Sequence, residues 1–157
     1  MESKTASERI RIKVNRSVCS GCLSCMTICS MVNEAYASLS GARVQVELAP
    51  FGGAHQIAIC RQCTKAACVE ACSEGAITRA PLGYLAVDYD RCTGCRACIE
   101  ACPFHAMFWN PISQQVIKCE LCHGDPQCVQ ACPTGALAIQ IVADKKTRKG
   151  HIQAGAP

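Results

Sequence analysis

Residues 92–103 read CTGCRACIEACP, and the spacing of their four cysteines determines the predicted fold. The pattern is C-x2-C-x2-C-x3-C, the bacterial ferredoxin arrangement for [4Fe–4S] clusters. Three thiolates on one tight loop each reach a different iron of a cubane, whereas the fourth lies too far along the chain and ligates a second cluster. The stretch therefore predicts a fold in which cysteine groups exchange their fourth ligands.

Three more groups complete the pattern, and together the four groups use all 16 cysteines of the 157-residue chain. Group one has the same spacing, whereas groups two and four carry an insertion before the third cysteine. In chain order the groups are Cys19, Cys22, Cys25, Cys29; Cys60, Cys63, Cys68, Cys72; Cys92, Cys95, Cys98, Cys102; and Cys119, Cys122, Cys128, Cys132. Four complete groups predict four [4Fe–4S] clusters and a path for single electrons.

Zinc and disulfides are the alternatives for these cysteines. Structural zinc also uses Cys-x2-Cys pairs, but a third and a fourth cysteine follow closely in every group, which suits a cubane better than one ion. The chain begins MESKTASERIRIKV, without an apolar h-region, a twin-arginine pair or a small-residue cleavage site. We therefore expect reduced thiols and a cytoplasmic location, with export alongside a signal-bearing partner as the alternative.

Composition indicates a fold that depends on its clusters. Half of the residues count as hydrophobic, but the cysteines are among them and aromatic residues make up 4%. The apo chain is therefore predicted to be unfolded or molten. The formal charge of +4 becomes about −4 once four clusters of roughly −2 each are bound, so it does not indicate a nucleic-acid partner. No segment is long and apolar enough for a membrane span.

Each repeat is predicted to contain a ligand loop, a short helix around its fourth cysteine and then a small apolar strand. The fold class is thus α+β, with tandem ferredoxin-like modules whose short strands and helices pack around four [4Fe–4S] clusters. Strands are predicted at Ile10–Val14, Gln56–Ile59, Tyr84–Val87 and Val116–Lys118 before the loops, and at Arg43–Leu48 before the turn at 50–53.

The lengths of the links favour a nested pairing of the groups. The link 73–91 resembles the one inside a two-cluster ferredoxin, and the insertion 30–59 separates group one from group two. The nested ligand sets are Cys19, Cys22, Cys25 with Cys132; Cys60, Cys63, Cys68 with Cys102; Cys92, Cys95, Cys98 with Cys72; and Cys119, Cys122, Cys128 with Cys29. The sequence also permits pairing of group one with two and of three with four.

This pairing divides the chain into predicted parts. Residues 10–142 form the four-cluster domain, in which 60–102 are the inner two-cluster unit and 10–59 with 103–142 the outer one. Residues 1–9 are an N-terminal arm, and 143–157 are a basic tail.

Other residues indicate no catalysis. The chain contains no Walker loop and no Ser/His/Asp set in a supporting context. The four histidines, His55, His105, His123 and His151, are predicted to have polar roles because every group already has four thiolates. Gly21, Gly94 and Gly124 lie in ligand loops and are predicted to let the backbone approach a cluster.

The stretches 92–103, 118–122 and 128–136 resemble the four-cluster, polyferredoxin-like electron-transfer subunits of molybdenum and tungsten oxidoreductases. That family includes the iron–sulfur subunits of dimethyl sulfoxide reductase-like enzymes, formate dehydrogenases and hydrogenase complexes, and small partners of tungsten aldehyde oxidoreductases. The resemblance spans about Ile10–Val142 and also implies the nested pairing. The chain departs from the family by Ser30 and Ser73 in place of proline, by Ala67 in place of proline, and by its short length.

The resemblance implies a non-catalytic electron-transfer subunit. It would relay electrons between a large molybdopterin or tungstopterin catalytic subunit and a flavin, hydrogenase or ferredoxin partner, with a tungsten aldehyde oxidoreductase favoured. Copies of the chain could also stack head to tail. The alternatives are a free polyferredoxin shuttle and a redox-sensing or assembly protein with labile clusters.

Overall fold

Short antiparallel strand pairs and short helices make up residues 8–143, the part of this computed structural model that is described. The strands are β1 (Glu8–Val14), β2 (Val44–Glu47), β3 (Gln56–Ile59), β4 (Ile77–Arg79), β5 (Leu85–Val87), β6 (Met107–Asn110), β7 (Gln115–Lys118) and β8 (Leu137–Ala143). The helices are α1 (Ser24–Glu34), α2 (Ala67–Glu70), α3 (Ala97–Ala101) and α4 (Gln127–Gln130), with 3-10 turns at Arg16–Val18, Pro50–Gly52 and Leu121–Gly124. This confirms the predicted α+β class with ferredoxin-like modules.

Strand pairing closes the chain on itself. The pairs β2–β3, β4–β5 and β6–β7 join strands that are neighbours in sequence, whereas β1 pairs with β8 from the opposite end of the chain. In the register of this last pair, Ile12 faces Ile139 and Val14 faces Leu137. The first and the last cysteine groups are therefore brought to the same side of the molecule.

The predicted position of the short helices is wrong for three of the four groups. Every helix begins one residue before the third cysteine of its group, and α2, α3 and α4 end before the fourth. After the fourth cysteine the chain makes a turn in which the residue three positions later has a left-handed conformation, at Gly75, His105 and Gly135. Its N–H donates to the carbonyl of the fourth cysteine in all three cases. In group one, α1 continues through Cys29, as predicted.

The core is lined with sulfur and small aliphatic groups. Seven cysteines are buried among aliphatic side chains such as Val44, Ile59 and Leu85. The buried cysteines are Cys29, Cys60, Cys68, Cys98, Cys102, Cys119 and Cys128. Thiols are thus a substantial part of the buried core, so the packing of the core includes the predicted ligands themselves.

Some predictions lie outside the described residues. They concern residues 1–7 of the arm, 144–157 of the tail and His151. β1 begins at Glu8, inside the predicted arm. Over the described range 8–143, no helix is both long and apolar enough to cross a bilayer.

Candidate iron–sulfur sites

The structure gathers the cysteines in four sets of four, each named here for the group that supplies three of its members. Three of these sets line cavities. Set one is Cys19, Cys22, Cys25 and Cys132. Set three is Cys92, Cys95, Cys98 and Cys72. Set four is Cys119, Cys122, Cys128 and Cys29.

Set two is identified by the electrostatic effect of its thiols on one another's pKa. Cys60 and Cys102 both raise the pKa of Cys63 and of Cys68, after burial, which is the larger cause. Set two is therefore Cys60, Cys63, Cys68 and Cys102. All four sets agree with the nested arrangement, whereas sequential pairing would place Cys132 beside group three. That these thiols ligate clusters remains a prediction.

Helix packing explains why the sets mix two groups. Helix α1 packs on α4, and α2 packs on α3. Since each helix starts beside the third cysteine of its group, these contacts bring group one to group four and group two to group three. The β1–β8 pair supports the first of these contacts, because β8 starts shortly after Cys132 and β1 ends shortly before Cys19.

The cavities fit a cluster better than a single ion. All sixteen cysteines are free thiols rather than disulfides. Within residues 8–143, no three His, Cys, Asp or Glu side chains lie close enough to hold one metal ion. Four thiols that line one cavity form a donor set suited to a cubane.

Backbone N–H groups are aimed at the fourth cysteine of three groups. The N–H of Ala76 donates to Cys72 Sγ at 3.3 Å, and that of Ala106 donates to Cys102 Sγ at 3.4 Å. In group one this donor is the N–H of Arg43, 3.2 Å from Cys29 Sγ. Such bonds favour the thiolate form and so support ligation.

Sequence reasoning missed Arg43. Group one has no small-residue turn after Cys29, and this absence was the signal that another segment supplies the donor. The Arg43 guanidinium lies 3.3 Å from the Glu34 carboxylate and 3.6 Å from that of Glu120, and all three side chains are nearly buried. The network ties α1 to the ligand loop of group four, because Glu120 lies between two of its cysteines.

Burial raises the pKa of most of the thiols for which a shift is resolved. It raises the pKa of Cys25 and of Cys98 to about 11 and that of Cys119 to about 12. At neutral pH these groups hold protons that iron must displace, so iron uptake is coupled to proton release. Exposed Cys22 differs, since a hydrogen bond from the Ser24 side chain lowers its pKa.

The sets lie in a definite order. The Cys25 thiol of set one raises the pKa of Cys128 in set four, although burial raises it more. Set one therefore adjoins set four. Cys60 of set two likewise raises the pKa of Cys119 in set four, so these two sets also adjoin. Cys68 of set two raises the pKa of Cys98 in set three, so set two adjoins set three. Together with the packing of α1 on α4 and of α2 on α3, these contacts indicate the order one, four, two, three. This order is called the file below, and sets one and three are its ends.

Only the two end sets expose a thiol fully to solvent. All sixteen cysteines lie within residues 8–143, and among them Cys22 of set one and Cys95 of set three are exposed, while the others are buried or half-buried. Electrons could therefore enter or leave most directly at the two ends of the file.

The predicted glycine turns are present in the ligand loops. Gly21, Gly94 and Gly124 all have positive φ. At Gly21 a Cβ would also lie 2.7 Å from His55 Nε2 and 2.8 Å from Leu48 Cδ2, so this glycine lets the loop 48–55 rest on the ligand loop of group one. The side chain of His123, inside the ligand loop of group four, pairs through Nδ1 with the Tyr84 hydroxyl at 2.9 Å.

Comparison with known proteins identifies the family. The model of the 4Fe-4S dicluster domain matches residues 55–142, more than half of the chain. The chain belongs to this family. A second model, for a 4Fe-4S binding domain, matches residues 16–32, which contain group one. No curated protein matches the chain.

Solved structures with a similar fold include chains of one enzyme, benzoyl coenzyme A reductase. A chain of its active site complex BamBC with zinc is 26% identical, with a TM-score of 0.55 over 90% of this chain and 83% of that one. The complex as isolated gives 24% identity and a TM-score of 0.54 over 90% and 84%. The benzoyl-CoA complex gives 24% and 0.52 over 86% and 82%.

Together the family match, the sixteen cysteines and this likeness support the prediction of a polyferredoxin-like iron–sulfur protein. The iron–sulfur domains indicate electron transfer.

Proposed function

We propose that this chain is a non-catalytic electron-transfer subunit, in which the four sets of thiols each hold one [4Fe–4S] cluster. When bound, each cluster supplies one-electron storage. The observation that supports this function is the single file of sets with an exposed thiol at each end, Cys22 and Cys95. The protein fixes the positions of the sets, and its apolar side chains keep water from the middle ones.

We propose that the partner at one end is a large molybdopterin or tungstopterin catalytic subunit. This rests on the resemblance of the ligand stretches to subunits of such oxidoreductases and on the fold shared with the active site complex of a reductase. A flavin, hydrogenase or ferredoxin partner would take the other end. The complex is expected to be cytoplasmic, and head-to-tail stacking of copies remains a prediction.

We assign the catalytic subunit to the set-one end because apolar side chains are exposed there. Leu48, which contacts the ligand loop of group one, is 52% exposed, and Phe51 in the adjoining turn is fully exposed. Apolar surface of this kind is typical of interfaces that persist. At the set-three end, Arg96 lies over the Trp109 ring at 3.7 Å beside Cys95, a cationic surface that suits transient encounters.

Anaerobic purification of the tagged chain from its natural host, followed by native mass spectrometry and metal analysis, tests the proposal. We expect a large protein containing molybdenum or tungsten to co-purify, with about sixteen irons per copy of the chain. A lone chain with full iron would contradict the subunit and favour the free shuttle. A chain that loses iron readily, with no enzyme attached, would favour the sensing or assembly alternative.

A further inference from the structure

Lys118, the last residue of β7, is the most unusual charge in the described structure because it is 0% exposed. Its Nζ donates to the backbone carbonyls of Leu85 and of Cys119, the latter at 2.9 Å. Among residues 8–143, no carboxylate lies within ion-pair distance of this ammonium. An ammonium buried among neutral groups is strongly destabilising unless an opposite charge lies nearby.

The charge of Lys118 acts on thiols of two different sets, and one of them, Cys119, follows Lys118 directly in the chain. Lys118 acts electrostatically on Cys68 of set two and on Cys119 of set four, where it opposes the effect of burial on both thiols. These are the two middle sets of the file, and they adjoin each other through Cys60 and Cys119. Lys118 therefore lies at the junction between them.

We propose that Lys118 is the shared counter-ion of the two middle clusters and that its fixed positive charge raises the reduction potentials of both. The inference rests on the proposed function insofar as sets two and four must hold clusters. Reduction adds one negative charge to a cluster, and a nearby buried cation stabilises the reduced form more than the oxidised form. Lys118 is thus a positioning residue that makes the middle of the file easier to reduce.

A neutral side chain makes nearly the same contacts and provides a matched control. Gln62 is 1% exposed. Its Nε2 donates to the Cys119 carbonyl at 2.8 Å, and its Oε1 accepts from the Leu85 N–H at 2.8 Å. Gln62 and Lys118 therefore join the same two segments, but only Lys118 brings a charge. Replacing each in turn separates the charge from the mechanical link.

The experiment compares Lys118→Met with Gln62→Met in the complete, anaerobically purified protein. Iron content is measured first, and each protein is then titrated with reductant while electron paramagnetic resonance follows the clusters. In Lys118→Met we expect the reduction potentials of two of the four clusters to fall by at least 59 mV. This is a tenfold shift of each one-electron equilibrium towards the oxidised form. In Gln62→Met the reduction equilibria of the same two clusters should shift by less than about threefold.

Equal shifts in the two variants, or no shift in an iron-replete Lys118→Met protein, would overturn the proposal. If Lys118→Met loses iron, the variants Lys118→Gln and Lys118→Arg test whether a positive charge is needed. Retention of iron in the arginine variant and its loss in the glutamine variant would support the need for charge. Loss in both would show that only the shape of lysine matters and would also overturn it. Wild-type iron content tests the proposed function separately, since fewer than four clusters there would contradict that function whatever the variants do.

Discussion

Replacing Cys132 with alanine should empty the site at the opposite end of the sequence. Cys132 lines the set-one cavity with Cys19, Cys22 and Cys25, the three thiols of group one. A cubane that loses one of four protein ligands is labile, and loss of one whole cluster removes four irons. Iron should therefore fall from about sixteen to about twelve per chain.

Differential alkylation identifies the cluster that is lost. The anaerobic Cys132→Ala protein is treated with a thiol reagent, and the labelled cysteines are located by mass spectrometry, since a thiolate bound to iron is protected. We expect labelling of Cys19, Cys22 and Cys25. Labelling of the group-three cysteines at 92, 95 and 98 would refute the nested pairing and favour the sequential one.

Cys102→Ala is the matched control for this experiment. Cys102 belongs to set two, so its removal should expose Cys60, Cys63 and Cys68 and leave group one protected. Sequential pairing would instead expose the group-four cysteines at 119, 122 and 128. Similar labelling of all groups in both variants would indicate general collapse, which would contradict the independence of the sets.

Three further predictions concern docking, packing and metal dependence. Phe51→Asp should weaken co-purification of the catalytic subunit at least tenfold without loss of iron. Ile112→Asp, a similar change at a residue that is 61% exposed, should not weaken it. Equal effects of the two changes would be evidence against the assignment of the catalytic subunit to the set-one end. Gly21→Ala should destabilise the holoprotein by about 1–3 kcal/mol more than Gly52→Ala, because both have positive φ but only Gly21 has atoms within 4 Å of an added Cβ, and the rate at which visible absorbance is lost on heating measures this difference. Removal of iron with a chelator should abolish the cooperative thermal transition seen by circular dichroism, and a metal-free chain that still melts cooperatively would disprove the dependence of the fold on its clusters.

The sequence predicted the regular parts of the fold because local pattern determines them. The strand predicted before the second ligand loop, Gln56–Ile59, has the observed bounds of β3. The small residue before an apolar one marked the starts of β4, β6 and β8. The helices were misplaced because no glycine marks the ends of α2, α3 and α4, which are followed by Ala71, Cys102 and Ala131.

The buried polar groups could not be predicted because they depend on contacts between distant segments. In the stretch Gln115–Lys118, a terminal lysine reads as the solvent-facing end of a strand, yet Lys118 is wholly enclosed. Arg43 likewise begins a predicted strand in the sequence, but its N–H is the donor that Cys29 lacks from its own repeat. Contacts with Leu85 place Lys118, and contacts with Glu120 place Arg43.

The count of electrons per chain tests the central claim most directly. A reductive titration of the anaerobically purified protein, with iron, acid-labile sulfide and zinc measured on the same sample, gives the number of one-electron centres. Four electrons per chain, with about sixteen irons, a matching amount of sulfide and no stoichiometric zinc, is the predicted result. Two electrons or fewer per iron-replete chain, or zinc in place of iron, would contradict a file of four clusters.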